Sequence, residues 1–184
     1  VIYSDSGQSL GSTTSYGSAL ADLDLDGDLD VFIACHGEPN RVWFNDGTGI
    51  FTDSGQMLGN HYSMKSAVGD IDGDGDPDVV VGNKFDGNTA WLNDGLGNFT
   101  STGQSMGSAY TTLVRLGDFD GDSDLDLFVV NLAEPNKVWI NDGNGTFIDS
   151  GQSFDSSHTY SVALADVDGD GDLDGATCSY NDET

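Results

Sequence analysis

Positive charge is almost absent from this chain: five Lys and Arg face 32 Asp and Glu, for a formal net charge of −27 over 184 residues. Such a surface repels phosphate backbones and anionic membrane faces, which excludes nucleic acid and membranes as general partners and leaves proteins, neutral glycans or small molecules. Apolar runs are short as well. The longest, Val31 to Cys35, is far below the ~18 residues that a membrane-crossing helix needs. The first residues carry no basic, apolar or cleavage-site pattern of a signal peptide, so the sequence as given reads as soluble, with no membrane insertion. Proline is scarce, at three against 26 glycines, a balance that suits many short strands joined by tight turns.

What the chain does contain is aspartate in a fixed pattern. DLDLDGDLD at residues 22–30 returns as DIDGDGDPD at 70–78, DFDGDSDLD at 118–126 and DVDGDGDLD at 166–174, each copy 48 residues after the last. Five carboxylates in nine residues repel one another and gain nothing by burial, so the pattern makes physical sense around a hard cation, and calcium is the expected occupant at about four ions per chain. The side-chain ligands expected are Asp22, Asp24, Asp26 and Asp30; Asp70, Asp72, Asp74 and Asp78; Asp118, Asp120, Asp122 and Asp126; and Asp166, Asp168, Asp170 and Asp174. The backbone carbonyl of Asp28 fills the seventh position of the first loop, where Asp76, Asp124 and Asp172 stand in the others. A glycine at the sixth position permits the sharp turn, but the third loop carries Ser123 there in place of Gly27, Gly75 and Gly171, which predicts a strained turn or a weaker site. An EF-hand is excluded, because its twelfth position needs a bidentate Glu and here holds Ile33, Val81, Val129 and Thr177. Acidic loops of this kind match extracellular calcium at roughly 10⁻⁴ to 10⁻³ M, so a secreted or cell-surface location is expected, any signal being already removed.

Four self-similar units within residues 1–184 imply one repeat domain. Each loop is preceded by a short strand of small residues, Ser18 to Ala21 in the first unit, and followed by a run apolar on both faces, as in Val31 to Cys35, Val79 to Val81 and Leu127 to Val130. A hairpin follows, VWFNDGTGIF in the first unit, whose Asn-Asp-Gly supplies the positive φ values of a tight turn. The fold expected is all-β, a β-propeller of four tandem 48-residue blades of four antiparallel strands, with the metal loop between the first and second strands. Trp43, Trp91 and Trp139 hold one phase and Tyr3, Phe51, Phe99 and Phe147 another, both read as packing between blades. Small Ala19, Ala67 and Ala163 suit innermost strands, where Arg115 either bridges carboxylates, the role expected, or lines the central channel. The chain begins and ends inside a blade, with residues 1–6 in the phase of a fourth strand, so a closed four-blade ring competes with part of a larger ring or one completed by another copy. Cys35 and Cys178 are one residue out of phase, which puts them on opposite strand faces; a disulfide needs displaced blades, and free thiols are the alternative.

The DxDxDGxxD loops, together with W-x-N-D-G-x-G-x-F, resemble the FG-GAP or VCBS repeats of integrin α-subunit-type β-propellers over essentially the whole chain. The resemblance implies calcium loops on one face and a partner surface on the opposite one. Tyr16, His36, Tyr62, Tyr110, His158 and Tyr160 fall in or beside the loops of that opposite face, as do His61 and Tyr180, and offer a possible ligand face for a protein or neutral glycan. No enzyme is expected: the histidines are not repeated in phase, no nucleophile-elbow or zinc motif occurs, and the paired carboxylates are assigned to calcium. The function expected is a calcium-stabilised adhesion or binding module. The alternatives are a structural unit of a larger extracellular polymer, with self-association or a longer parent chain, and a non-catalytic part of a carbohydrate-active enzyme.

Overall fold

A computed structural model describes residues 5–154 and 158–180. Fourteen strands and no helix make up the described residues. The first unit is β1 (Ser15–Ala21), β2 (Asp30–Cys35), β3 (Arg41–Asn45) and β4 (Phe51–Asp53), hydrogen-bonded in that order. The second is β5 (Ser63–Gly69), β6 (Asp78–Asn83), β7 (Thr89–Asn93) and β8 (Phe99–Ser101); the third is β9 (Tyr110–Gly117), β10 (Asp126–Leu132), β11 (Asn136–Asn141) and β12 (Phe147–Phe154). The fourth contributes β13 (His158–Ala165) and β14 (Asp174–Tyr180), which pair with each other, and β13 meets β10 at Leu132 and His158. All neighbours are antiparallel, and β1, β5, β9 and β13 lie side by side in that order, a propeller-like succession whose sheets do not close into a ring. Expected strand positions in residues 1–4 lie outside the described residues.

The central strands show why the sequence has apolar runs without alternation. In β2, Phe32 and Ala34 pack forward with Val79, Val81 and Phe99 of the second unit, while Val31, Ile33 and Cys35 face the other way onto Leu10, Trp43 and Phe51. The same division recurs in β10, where Leu127 and Val129 meet the second unit and Phe128 and Val130 meet Val162 of the fourth. A strand buried on both faces between sheets carries apolar residues at both parities. Trp91 and Trp139 pack at the successive sheet interfaces, with Phe99 and Phe147 beside them.

β1 starts earlier than its small-residue run suggests, at Ser15, after a register shift between Ser15 and Gly17. Gly17 permits it, because a Cβ there would stand 2.8 Å from Met64 O and 2.9 Å from Lys65 Cα of β5. Glutamines then tie one unit to the next. Gln56 Nε2 donates to Gly97 O (2.7 Å) and its Oε1 accepts the Phe99 N–H (2.9 Å). Gln8 does the same with Gly49 O and Phe51 N–H, and Gln104 spans Phe147 O and N–H.

One expectation is corrected, and one open alternative is decided. Arg115 bridges no carboxylate among the described residues; it is exposed on β9 and its Nη1 donates to Val114 O at 3.2 Å. Both cysteines are free, Cys35 buried beside Thr13 Oγ1 at 3.2 Å and Cys178 exposed.

Candidate metal centre

The acidic loops run from the end of each first strand to the start of the second, so all four lie at one end of their sheets: Ala21 pairs with Asp30, and Gly69, Gly117 and Ala165 pair with Asp78, Asp126 and Asp174. Each loop folds on its own carboxylates. The first-position aspartate takes the sixth-position N–H: Gly27 N–H donates to Asp22 Oδ2, Gly75 N–H to Asp70 Oδ2 and Gly171 N–H to Asp166 Oδ2, at 3.0 to 3.1 Å. Ser123 keeps this bond to Asp118 Oδ2 at 3.0 Å, but only by adopting φ 78°, left-handed backbone that a residue with a Cβ occupies at a cost of about 1 kcal/mol. The strain expected of the third loop is therefore present, and its turn is kept.

Three carboxylates per loop converge, offering oxygens that all lie within 4.8 Å of one another: Asp22, Asp24 and Asp30; Asp70, Asp72 and Asp78; Asp118, Asp120 and Asp122; Asp166, Asp168 and Asp174. Asp26, Asp74, Asp126 and Asp170 stand outside these triplets. Each fifth-position carboxylate accepts the N–H two residues on, as Asp26 Oδ1 does from Asp28 and Asp74 Oδ1 from Asp76, at 3.0 and 2.9 Å. The seventh-position side chains turn elsewhere, since Asp28, Asp76 and Asp124 abut Gly47, Gly95 and Gly143 of the following hairpin, which leaves a role for their backbone carbonyls. Asp172 donates its N–H to Asp170 Oδ1 at 3.0 Å.

The ninth-position aspartate has a second task. Asp30, Asp78 and Asp126 are fully buried, and each carboxylate spans two backbone N–H groups. Leu23 and Asn45 donate to Asp30 (2.9 and 2.8 Å), Ile71 and Asn93 to Asp78 (2.9 and 2.7 Å), and Phe119 and Asn141 to Asp126 (both 2.8 Å). The loop is thereby clamped to the third strand of its own sheet. Burial pushes the Asp78 carboxyl up to about 6, against the lowering effect of those two N–H groups, and raises Asp126 in the same way. Burial, then neighbouring carboxylates, also raise Asp24, Asp72, Asp76 and Asp124. Hydrogen bonds from Thr48 and Asn98 lower Asp46 and Asp94 in the hairpins.

One oxygen tests the metal reading directly. In the second, third and fourth loops the first-position Oδ1 is held by the fourth-position N–H of Gly73, Gly121 and Gly169. The first loop has Leu25 there, at φ 57°, and Asp22 Oδ1 is buried with no hydrogen-bond partner. A buried orphan carboxylate oxygen inside an acidic triplet fits a hard divalent cation and little else.

Asparagines of the Asn-Asp-Gly turns extend the site between sheets and were not apparent as linkers from the sequence. Asn93 Nδ2 donates to Leu23 O (2.8 Å) and Pro77 O (3.1 Å), joining its own loop to the loop of the preceding unit; Asn141 joins Ile71 O and Leu125 O in the same way. Their 48-residue recurrence was visible, as was that of Gln8, Gln56 and Gln104, but recurrence alone names no partner.

The opposite end of the sheets holds the aromatic residues. Tyr16, His36 and Tyr62 form a row, with ring centroids 4.9 and 4.8 Å apart, and His36 pairs with Tyr62 across the sheet interface. Lys84 pairs with Tyr110 at the next interface, its Nζ 4.8 Å from that ring and 5.2 Å from Phe85, which is 67% exposed at φ 64°. His158 lies between Leu132 and Tyr180, Tyr160 is exposed two residues along β13, and His61 faces Asp86 at 3.5 Å. These residues thus do not form one cluster; several staple adjacent units while leaving ring surface exposed. Among the described residues no helix is long and apolar enough to cross a membrane.

A family model described as an FG-GAP-like repeat matches the chain three times, over residues 22–81, 70–129 and 118–175. No curated protein matches it.

Proposed function

The chain belongs to the FG-GAP-like repeat family, and from that premise we propose that it is a calcium-stabilised extracellular binding module that engages a protein or neutral glycan. Calcium sits in the four acidic loops, about one ion per loop, and the partner meets the end of the sheets away from them. The observation that carries the reading is the division of labour between the two ends: converging carboxylates at one, exposed aromatic rings at the other. An ion among Asp70, Asp72 and Asp78 neutralises a loop that otherwise repels itself, and Asp78 passes that rigidity to Ile71 and Asn93. Through Asn93 and Asn141 the second loop also braces the first and the third braces the second. The far ends of the strands are then held in register, which presents Tyr16, Tyr62 and Phe85 on a stiff scaffold. The reading includes no catalytic step, and secretion or surface display supplies the calcium.

The test is thermal unfolding with and without excess chelator, alongside calcium stoichiometry. At free calcium about 100 times Kd each independent site adds about 2.7 kcal/mol, so a large, reversible fall in Tm on chelation and about four bound ions are expected. An unchanged Tm in chelator would remove calcium from the account.

A further inference from the structure

Between the second and third sheets, at the end away from the acidic loops, lies a cavity of about 280 Å³. We propose that it is a binding site for a single neutral pyranose ring, a specific form of the binding-module reading above and dependent on it. Its floor is apolar, made by Met106, Val129 and the half-buried indole of Trp139, and its rim is polar, with Glu134, Lys137 and Asp149.

The residues are placed by register. Lys137 and Trp139 stand two apart on β11, and Asp149 is the cross-strand partner of Trp139, so all three share the face turned to the second sheet. Lys137 Nζ meets Asp149 Oδ2 at 3.3 Å. Gly107 lies over the indole edge, where a Cβ would come only to ordinary van der Waals contact with Trp139 Cζ2, at 3.9 Å. In the second unit Trp91 donates its indole N–H to Thr89 Oγ1 at 3.3 Å. Lys137 stands in the place of Thr89, so the Trp139 N–H has no acceptor on its own strand. Glu134 follows Ala133, held at φ 59°, the left-handed turn position that Gly37 and Phe85 occupy in the first two units.

This lining selects by chemistry. An indole floor takes the C–H face of a pyranose, the carboxylates of Glu134 and Asp149 accept from its hydroxyls, and the Lys137 ammonium and Trp139 N–H donate to them. Two carboxylates against one ammonium, on a chain of net charge −27, repel uronic or sialic acids. A wholly apolar ligand would strip water from the same charged rim without replacing it. At about 280 Å³ the cavity falls just below the span of small-molecule pockets, about 300 to 1,000 Å³, which limits the fit to one ring.

The experiment titrates the calcium-loaded chain with the methyl pyranosides of glucose, galactose, mannose and N-acetylglucosamine to about 10 mM, a range that reads millimolar Kd, following the three indole N–H resonances by NMR. At least one sugar should shift a single indole, and Lys137→Ala should weaken that shift at least about fivefold, roughly 1 kcal/mol. Arg41→Ala, which breaks the corresponding ion pair with Asp53 in the first sheet, should leave the shift unchanged. No indole shift with any of the four sugars, or one that Lys137→Ala leaves intact, overturns the proposal. If calcium-dependent stability persists while the sugars fail, the pyranose site alone falls; if the sugars bind and chelation changes nothing, the calcium reading alone falls.

Discussion

At the scale of residues, the ninth-position aspartates are the most informative. Asp78 belongs to an acidic triplet and also accepts two backbone N–H groups while fully buried. Its carboxyl is pushed up to about 6, against about 3.9 for an unfolded aspartate. Without calcium the folded state therefore binds this proton more tightly than the unfolded state. The stabilising contribution is complete below about pH 4 and is lost as pH rises to about 6, with Asp24, Asp72, Asp76, Asp124 and Asp126 shifted in the same direction. In chelator, Tm should fall across that window as pH rises. With calcium present the slope should reverse, because acid competes with the ion for the same oxygens. Scanning calorimetry of the chain and of Asp78→Asn, which should flatten the chelator slope, decides it; a Tm in chelator that rises with pH would contradict the assignment.

At the scale of elements, what matters is how one sheet grips the next. The apolar faces of β2, β6 and β10 supply the area, and Gln8, Gln56 and Gln104 each reach the first residue of a fourth strand 43 residues further on, Phe51, Phe99 and Phe147. Gln56→Ala leaves the Phe99 N–H and the Gly97 carbonyl without their side-chain partner, at a cost of about 1 to 3 kcal/mol. Gln152 holds the same phase but its amide makes no such bond among the described residues, so Gln152→Ala should stay within about 0.5 kcal/mol of the parent. Urea unfolding in calcium measures both, and equal effects would remove the glutamine from its linking role. The strands themselves were legible in the sequence: their count in the first three units, the turn residues between them and the double-faced burial of the central strands all follow from local pattern. The early start of β1 was not, because Gly17 reads as part of a polar loop until β5 lies against it.

At the scale of the whole molecule, charge dominates. Twenty of the 32 acidic residues sit in the four loops, all at one end of the sheets, so the repulsion is concentrated there. The calcium-free chain should gain stability with added salt, since the Debye length shortens from ~30 Å at 0.01 M to ~3 Å at 1 M. With four calcium ions bound the net charge of −27 becomes −19, and the salt effect should shrink. Tm measured against sodium chloride with and without chelator checks this; a calcium-free Tm indifferent to salt would mean that loop repulsion is not what limits stability.

Sequence alone determined the 48-residue period, the all-β character, the acidic loops and the end of each sheet on which they fall. Those properties are local, set by strand parity, turn residues and carboxylates packed into nine positions. Tertiary structure decided which oxygens converge and which clamp the backbone, because Asp30, Asp78 and Asp126 find donors 15 residues away on another strand. It also decided that Asn93 reaches a loop 70 residues back, and that Lys137, Trp139 and Asp149 share a cavity with Met106 of the neighbouring connection. Partners so distant in the chain meet only once the sheets are stacked, and no short pattern records which of them will touch.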